Sequence, residues 1–452
     1  MLATKIASLL PAIPGLLIPD PEMNSMTQDL LPPVDQEAEQ GFDPYLLRML
    51  GLDRTARALD LEDTVLEQMR HAELEATIRL PGARSDGSAA GLSALACLYA
   101  PAAGSILELA IGPDTHLNQV RASAFLNDLS CALLGLGWRG GAAGLILDSS
   151  QYPERETRRL LRRWCEALQR TVPGGCALSS VHGGNRAIQG WLGQDLRQFT
   201  SPSGAAARQA ETQPERRGRW IAELVRAFAG DVEVRTCAIQ GAAGLGMAVA
   251  RALSTGVSRR KAGAASRLPE ALLASGGVQV VMMSDSSGAV RNQEGMELGR
   301  LEAHLTHEQV LFGYPGGEHA RSDDLPGCEC DLLVLQSPMQ ITTRNADQVR
   351  ARLVVECVPD CVSQDAKTRL AASGVEIVPE LLVRCGPILL AAAESQAYLM
   401  RESRVGALLR QRAVQLRDEI AERALAWKTT LSHAALMLAI ERRAAQLRRA
   451  GL

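Results

Sequence analysis

The residues best suited to chemistry form a glycine turn between a short apolar run and an apolar helix. Residues 237–239 predict a buried strand, and Gly241, Gly244 and Gly246 then turn the chain into a helix that begins near Met247. A strand, turn and helix of this kind hold a dinucleotide pyrophosphate on backbone N–H groups at the helix N-terminus. The alternative is a doubly wound sheet that binds nothing.

A second apolar strand follows this helix and ends in an acidic residue. Residues 278–283 are apolar except for Gln279, and Ser284 and Asp285 come directly after them. A carboxylate at this position can accept hydrogen bonds from the adenosine ribose, and it would repel the 2′-phosphate of NADP. The order of strand, glycine turn, helix, strand and acid therefore predicts NAD as the cofactor, with NADP less favoured.

The glycine turn has one defect. The usual pattern is Gly-x-Gly-x-x-Gly, and Ala243 stands at its middle position, where the backbone approaches phosphate closely. We therefore expect NAD binding to be weak or lost. The predicted cofactor-binding residues are Gly241, Ala243, Gly244, Leu245, Gly246, Ser284 and Asp285.

Composition limits the classes of protein to which the chain can belong. A chain of 452 residues exceeds what one core usually serves, so two domains are expected. The formal net charge of −3 gives no basic field for nucleic acid. No apolar stretch is long enough for a membrane span, and prolines interrupt the apolar runs of residues 1–40, so we expect neither a membrane anchor nor a signal peptide.

The ten cysteines are scattered among apolar residues rather than spaced as a disulfide framework. This pattern favours free thiols in a reducing cytoplasm. Cys328 with Cys330, and Cys357 with Cys361, are close pairs, but a structural metal site needs four compactly spaced ligands. We interpret both pairs as buried structural thiols and predict no metal.

Hydrophobic periodicity predicts two α/β domains. In the first, helices are expected at 43–74, 121–136 and 154–171, strands at 75–80, 95–99, 106–111 and 145–148, and a glycine-rich turn at 137–144. Residues 255–275 are interpreted as a solvated surface insertion. The predicted divisions are a disordered or subunit-contact extension (1–42), a first domain (43–199), a linker (200–218), a nucleotide domain (219–395) and C-terminal helices that pack on the first domain (396–452).

Several of these segments resemble the glutamate/leucine/phenylalanine/valine dehydrogenase family. Similarity is clearest at the strand and turn of residues 238–241, at the second strand and its turn (280–290), and at 330–333, 340–346, 374–382 and 434–442; weaker matches are 112–113 and 140–144 followed by Asp148. The resemblance implies an α/β fold of two domains. An N-terminal substrate and oligomerisation domain precedes a Rossmann-type doubly wound nucleotide domain, and C-terminal helices return to the first domain.

The family oxidatively deaminates an amino acid by hydride transfer to a nicotinamide cofactor. The resemblance implies that lysines bind the substrate carboxylate and activate water, and that an aspartate is the acid/base. Here those positions fall at or near Thr115, Cys131, Ala143 and Ser180, the last within the segment 179–182 that also contains His182. In the second domain, Arg384 replaces an asparagine that faces the nicotinamide, and Ala391 replaces a substrate-binding serine.

No alternative lysine exists in the first domain, because Lys5 and Lys261 are consecutive lysines of the chain. Arginine cannot replace a lysine that must deprotonate. We therefore expect no catalytic residues for amino-acid oxidation. The leading hypothesis is a degenerate homologue that serves as a nucleotide-binding or assembly subunit, in a homo-oligomer or in a hetero-oligomer with an active relative.

The competing hypothesis is an active NAD(P)-dependent oxidoreductase with a rewired pocket and a different substrate. Arg139 or Arg121 would bind a carboxylate. His116, His182 and Asp114 would form a replacement acid/base set. For each histidine, a surface or hydrogen-bonded structural role is the alternative.

Overall fold

The computed structural model describes nine segments of the chain: residues 43–100, 104–172, 176–184, 187–188, 190–192, 213–229, 233–255, 277–395 and 402–451. The expectations for residues 1–42, for most of the linker and for all but the first residue of the 255–275 insertion therefore lie outside the described residues.

The first domain contains a five-stranded mixed sheet with helices on both faces. Its elements are α1 (Pro44–Ala58), α2 (Asp63–Arg70), β1 (Leu74–Ala83), β2 (Ala89–Leu98), β3 (Ser105–Gly112), α3 (Leu117–Leu133), β4 (Arg139–Ile146), α4 (Glu154–Thr171) and β5 (Cys176–Gly183). The spatial strand order is β1-β2-β4-β3-β5, in which β3 is parallel to both of its neighbours. Alternate residues of β4 point to opposite faces: Ala142 packs in the cluster that contains α3, and Ala143 packs with α4.

The glycine-rich segment 137–144 was expected to be a turn, and this expectation is wrong. Most of the segment lies in the central strand β4. A Cβ atom on Gly140 would lie 2.0 Å from the backbone nitrogen of Asp128 in α3, and one on Gly144 would lie 2.6 Å from Thr115 Cγ2. Glycine is needed here because α3 packs directly on the backbone of the strand.

The second domain is built on a seven-stranded sheet. Its elements are α5 (Gln213–Ala229), β6 (Thr236–Gln240), α6 (Leu245–Ser254), β7 (Gln279–Asp285), β8 (Gly288–Arg291), α7 (Leu298–Glu308), β9 (Glu318–Ala320), β10 (Leu332–Leu335), β11 (Leu353–Glu356), α8 (Gln364–Ala372), β12 (Glu376–Val378) and α9 (Glu380–Ser395). The order is β12-β11-β10-β6-β7-β8-β9, with β8 and β9 antiparallel at one edge. Because α5 begins at Gln213, the last residues of the predicted linker are helical.

Two C-terminal helices, α10 (Glu402–Ala426) and α11 (Leu431–Arg449), complete the fold. Helix α10 packs on α5, and α11 packs on α3 of the first domain. Arg443 of α11 is buried, with Nε 2.9 Å from Asp128 Oδ2 and a second nitrogen donating to the Asp128 carbonyl at 2.6 Å. The predicted fold of two α/β domains is confirmed. Of the C-terminal helices predicted to pack on the first domain, α11 does so, whereas α10 packs chiefly on α5 of the second.

Two further features of the fold concern its cysteines and the length of its helices. All ten cysteines lie in the described segments as thiols outside any disulfide, and every one except the half-buried Cys330 is buried. Within the described segments, no helix combines the length and the apolar character needed to cross a bilayer.

Replacing Gly140 with alanine is predicted to destabilise the first domain, because the added methyl overlaps the backbone of α3. We expect a loss of about 1–3 kcal/mol in the free energy of unfolding. Gly137→Ala is the matched control, since a Cβ atom there meets nothing within 4 Å. Denaturant unfolding should rank Gly140→Ala well below the control, and equal midpoints would contradict the packing described here.

Candidate functional site

A buried ion pair joins the two domains across the cleft between them. Glu108 lies on β3 and Arg384 lies on α9, and their side chains are 7% and 10% exposed. One terminal nitrogen of Arg384 contacts a Glu108 oxygen, and it also donates to Asn127 Oδ1 at 3.2 Å. The Nε of Arg384 contacts Glu380. One guanidinium group is therefore shared by two carboxylates and an amide.

The cleft around this ion pair is nearly filled. It leaves a cavity of about 20 Å³, whose other walls include Ser179, Ser180, His182, Arg217, Cys357 and Pro387. A cavity of this size holds about one water molecule. This cavity is smaller than an amino acid.

The environment of Glu108 keeps its carboxylate ionised. Burial alone would raise the pKa of Glu108, but Arg384 and His182 oppose that effect and hold the pKa well below its usual range. Ser123 also donates to Oε1 at 2.9 Å. Burial lowers the pKa of Arg384, while Glu108 acts in the opposite direction. The pair is a salt bridge at neutral pH, because arginine stays protonated in proteins.

Ser180 and His182 lie beside Glu108 but do not form a hydrolytic relay. Ser180 Oγ is 3.2 Å from His182 Nε2, and Glu108 Oε1 is 3.6 Å from the same nitrogen. A serine–histidine–acid relay needs the hydroxyl and the carboxylate on different ring nitrogens. The arrangement therefore does not activate Ser180 as a nucleophile.

The predicted glycine turn lies at the carboxyl end of β6. Gly241 has φ of +85° and Gly244 has φ of +54°, which are left-handed values that favour glycine. The N–H of Gly241 donates to the carbonyl of Ser284 at 2.7 Å, and Ser284 itself is buried in the sheet. A Cβ atom on Gly246 would lie 1.6 Å from the Gly241 carbonyl oxygen, so the strand and the helix start are in close contact.

Ala243 is exposed at the tip of this turn, and Leu245 is the first residue of α6. Gly244 caps the helix without a side-chain hydrogen bond. The start of α6 is suited to an anion, since the helix dipole and the N–H groups of a first helical turn favour negative charge. The turn can thus hold a phosphate, with the Ala243 methyl at its exposed edge.

Asp285 has structural partners for most of its carboxylate. Oδ1 accepts from the N–H and the hydroxyl of Ser287 at 2.7 and 2.5 Å, and Oδ2 accepts from the N–H of Leu311 at 2.7 Å. These bonds fix the turn between β7 and β8 and the loop beside it. A carboxylate has about four acceptor positions, so roughly one remains for a ribose hydroxyl.

Comparison with known proteins identifies the family. Residues 75–176 match the description "Glu/Leu/Phe/Val dehydrogenase, dimerisation domain", and residues 262–451 match "Glutamate/Leucine/Phenylalanine/Valine dehydrogenase". The chain belongs to this family. The resemblance inferred from the sequence is confirmed.

Individual relatives extend this match along most of the chain. Glutamate dehydrogenase of Thermotoga maritima is 24% identical over 362 residues, which cover 76% of this chain and 82% of the relative. The catabolic NAD-specific glutamate dehydrogenase RocG of Bacillus subtilis is 24% identical over 431 residues, or 90% and 96% of the two chains. The solved hetero-hexameric glutamate dehydrogenase of Thermus thermophilus, in a leucine-bound form, has a TM-score of 0.76 at 21% identity, covering 90% and 97%.

The predicted positions of the family's catalytic groups are not gathered in one place. Ala143 belongs to the apolar cluster between the sheet and α4, with Trp164, on the face opposite Glu108. Cys131 is buried in α3, and burial raises its pKa well above the usual value. Thr115 is buried beside Gly144. Of these four positions, only Ser180 lines the cleft cavity.

Arginines proposed for a rewired pocket have other partners. Arg139 is held by Asp128, with Nε 2.7 Å from Oδ1, inside the contact between α3 and α11. Arg121 pairs with Glu75 at 2.6 Å near the surface. Neither guanidinium lines the cleft cavity.

Of the proposed acid/base residues, only His182 lies in the cleft. His116 is exposed and caps α3 by accepting from the N–H of Gln119 at 3.3 Å, and Asp114 is exposed beside it. The pairing of Glu108 with Arg384 was not predicted from the sequence. Its signal was the single acid inside the apolar strand of residues 105–112.

Replacing Glu108 with glutamine should destabilise the protein, because it leaves the buried Arg384 undercompensated. We expect a loss of about 3–5 kcal/mol in the free energy of unfolding at pH 7. The control is Glu75→Gln, which breaks a surface ion pair and should cost no more than about 1 kcal/mol. Denaturant titrations of both variants provide the comparison.

Acidification gives an independent readout of the same pair. The folded pKa of Glu108 lies below the ordinary value of 4.5, so its contribution is present above about pH 5 and is lost as the pH falls below 4.5. The unmodified protein should therefore lose stability more steeply than Glu108→Gln in this range. Parallel pH profiles for the two proteins would contradict the depressed pKa.

Proposed function

We propose that this chain is a glutamate dehydrogenase-like protein without amino-acid dehydrogenase activity, which acts as a nucleotide-binding or assembly subunit. The observation that carries this proposal is the ion pair between Glu108 and Arg384, which fills the cleft between the domains. A cleft reduced to about 20 Å³ has no room for an amino acid.

The charges in the cleft support the same conclusion. Oxidative deamination needs a cation for the substrate carboxylate, stabilisation of the developing charge and a proton acceptor. Arg384 is already shared by Glu108 and Glu380. No lysine lies between Lys5 and Lys261 to supply a further cation or a neutral amine.

A second candidate function is an active oxidoreductase with a different substrate. The observation that favours it is His182, whose side chain is 33% exposed and lies beside Glu108 in the cleft. In this alternative, domain opening admits a substrate and His182 accepts its proton. A screen for nicotinamide reduction across amino and hydroxy acids distinguishes the two functions.

We also propose a cofactor, a cellular compartment and a state of assembly for this protein. The glycine turn and Asp285 support weak binding of a nicotinamide dinucleotide, with NAD favoured over NADP. Free, buried thiols support a cytoplasmic location. The family match over residues 75–176 is to a dimerisation domain, and the Thermus relative is a hetero-hexamer, so both homo-oligomers and mixed oligomers with an active relative are consistent with the proposal.

The unmodified protein is predicted not to oxidise glutamate, leucine, phenylalanine or valine with NAD or NADP. Each missing catalytic group typically lowers the rate by about 10²–10⁴, and even strongly sub-additive losses leave turnover near background. The measurement is nicotinamide absorbance with purified protein, with an active glutamate dehydrogenase as positive control. Steady turnover above the host background would refute the proposal.

Ala143→Lys is the matched test of a simple repair, and it should not restore activity. The new ammonium group would enter the apolar cluster with Trp164 instead of the cleft. We expect lower stability and no turnover, because burying an unpaired charge is strongly unfavourable. Recovery of glutamate oxidation in this variant would show that residue 143 reaches the substrate.

The assembly proposal predicts a multimer in solution. Sedimentation at micromolar concentration should give a mass of several times 48.4 kDa. Co-expression with an active relative tests whether mixed oligomers form. A clean monomer under these conditions would contradict the role in assembly.

A further inference from the structure

The crevice above the parallel sheet of the second domain has two adjoining parts, one for each half of a dinucleotide. The direction of strand order reverses between β6 and β10, and nucleotides bind at such a switch point, across the carboxyl ends of the strands. By this rule the adenosine half of a dinucleotide would lie over β6 and β7, beside the glycine turn and Asp285. The second half would lie over β10 and β11.

The part of the crevice over β10 and β11 is closed by side chains from both domains. Cys357 and Val358, directly after β11, line the same small cavity as Glu108 and Arg384. Arg217 donates to the Cys357 carbonyl at 3.1 Å, and Arg48 of α1 forms an ion pair with Asp360 in the loop that follows. The second half of a dinucleotide would have to displace these contacts.

The half over β6 and β7 presents an exposed aromatic side chain. Phe312 is 70% exposed, and its ring is tilted against that of His319 with the centroids 5.7 Å apart. Its N–H donates to Ser287 Oγ at 3.0 Å, and that hydroxyl donates to Asp285 Oδ1 at 2.5 Å. The backbone of Phe312 is therefore tied through Ser287 to the acid at the ribose position, and its exposed ring offers a surface on which a nucleobase can stack.

We propose that the crevice over β6 and β7 binds adenosine 5′-diphosphate in preference to a dinucleotide, with the adenine against Phe312 and the ribose on Asp285. The inference deepens, and rests on, the nucleotide-binding part of the proposed function. The terminal phosphate of ADP is free to move, so it accommodates the Ala243 methyl at the turn. NAD carries its nicotinamide half beyond the pyrophosphate, and that half would have to displace the contacts of Cys357, Val358 and Asp360.

Calorimetry on the full-length protein tests this preference with ADP and NAD as probes. ADP should bind at least about tenfold more tightly than NAD. Phe312→Ala should weaken ADP binding about tenfold, since a base loses its stacking surface. Leu425→Ala is the matched control, because Leu425 is 64% exposed on α10 and should leave the affinity unchanged. Phe312→Trp should retain binding.

A second variant tests why NAD is disfavoured. The double substitution Glu108→Gln with Arg384→Asn removes the ion pair and should raise the affinity for NAD while leaving that for ADP unchanged. If this variant does not fold, two measurements still test the preference for ADP. They are the ratio of the ADP and NAD affinities of the unmodified protein and the ADP affinities of the Phe312 variants.

NAD binding more tightly than ADP would overturn the inference while leaving nucleotide binding intact. Binding of neither probe, or ADP binding that is unaffected by Phe312→Ala, would also overturn it. The absence of amino-acid oxidation is measured separately by turnover, so failure of the ADP preference and failure of the proposed function are distinguishable.

Discussion

The arrangement of the two domains depends on a buried ion pair between Glu108 and Arg384. Removing two charges from water is unfavourable, and their mutual attraction offsets that penalty only when further hydrogen bonds complete both groups. Here Ser123 and Asn127 supply such bonds at 2.9 and 3.2 Å. The pair therefore fixes how β3 faces α9, whereas its net effect on stability relative to an apolar contact is small.

Helix α3 connects this pair to the rest of the fold. Asn127 contacts Arg384 and also donates to the Gly141 carbonyl of β4 at 2.9 Å. The next residue, Asp128, pairs with Arg139 of β4 and Arg443 of α11. Two consecutive residues of one helix thus hold the cleft, the central strand and the terminal helix, and the close approach allowed by Gly140 keeps them in register.

Local patterns in the sequence were sufficient for the architecture but not for the site. The predicted strand 237–239 lies within β6, and the predicted helix 154–171 is α4, because both depend on nearby residues. The glycine-rich strand β4 was mistaken for a turn, since glycine marks turns in sequence and its role in close packing depends on α3. Glu108 and Arg384 are 276 residues apart, so no local pattern relates them.

The difference between this cleft and one that binds an amino acid is one of charge balance as well as missing groups. A substrate carboxylate needs a cation that is not already neutralised. The cleft lining contains two carboxylates, Glu108 and Glu380, with two guanidinium groups, Arg384 and Arg217. An added carboxylate would bring an uncompensated negative charge into a buried, balanced site. A lysine placed in this cleft would first pair with Glu108, so amino-acid binding requires removal of the acid as well as addition of the cation.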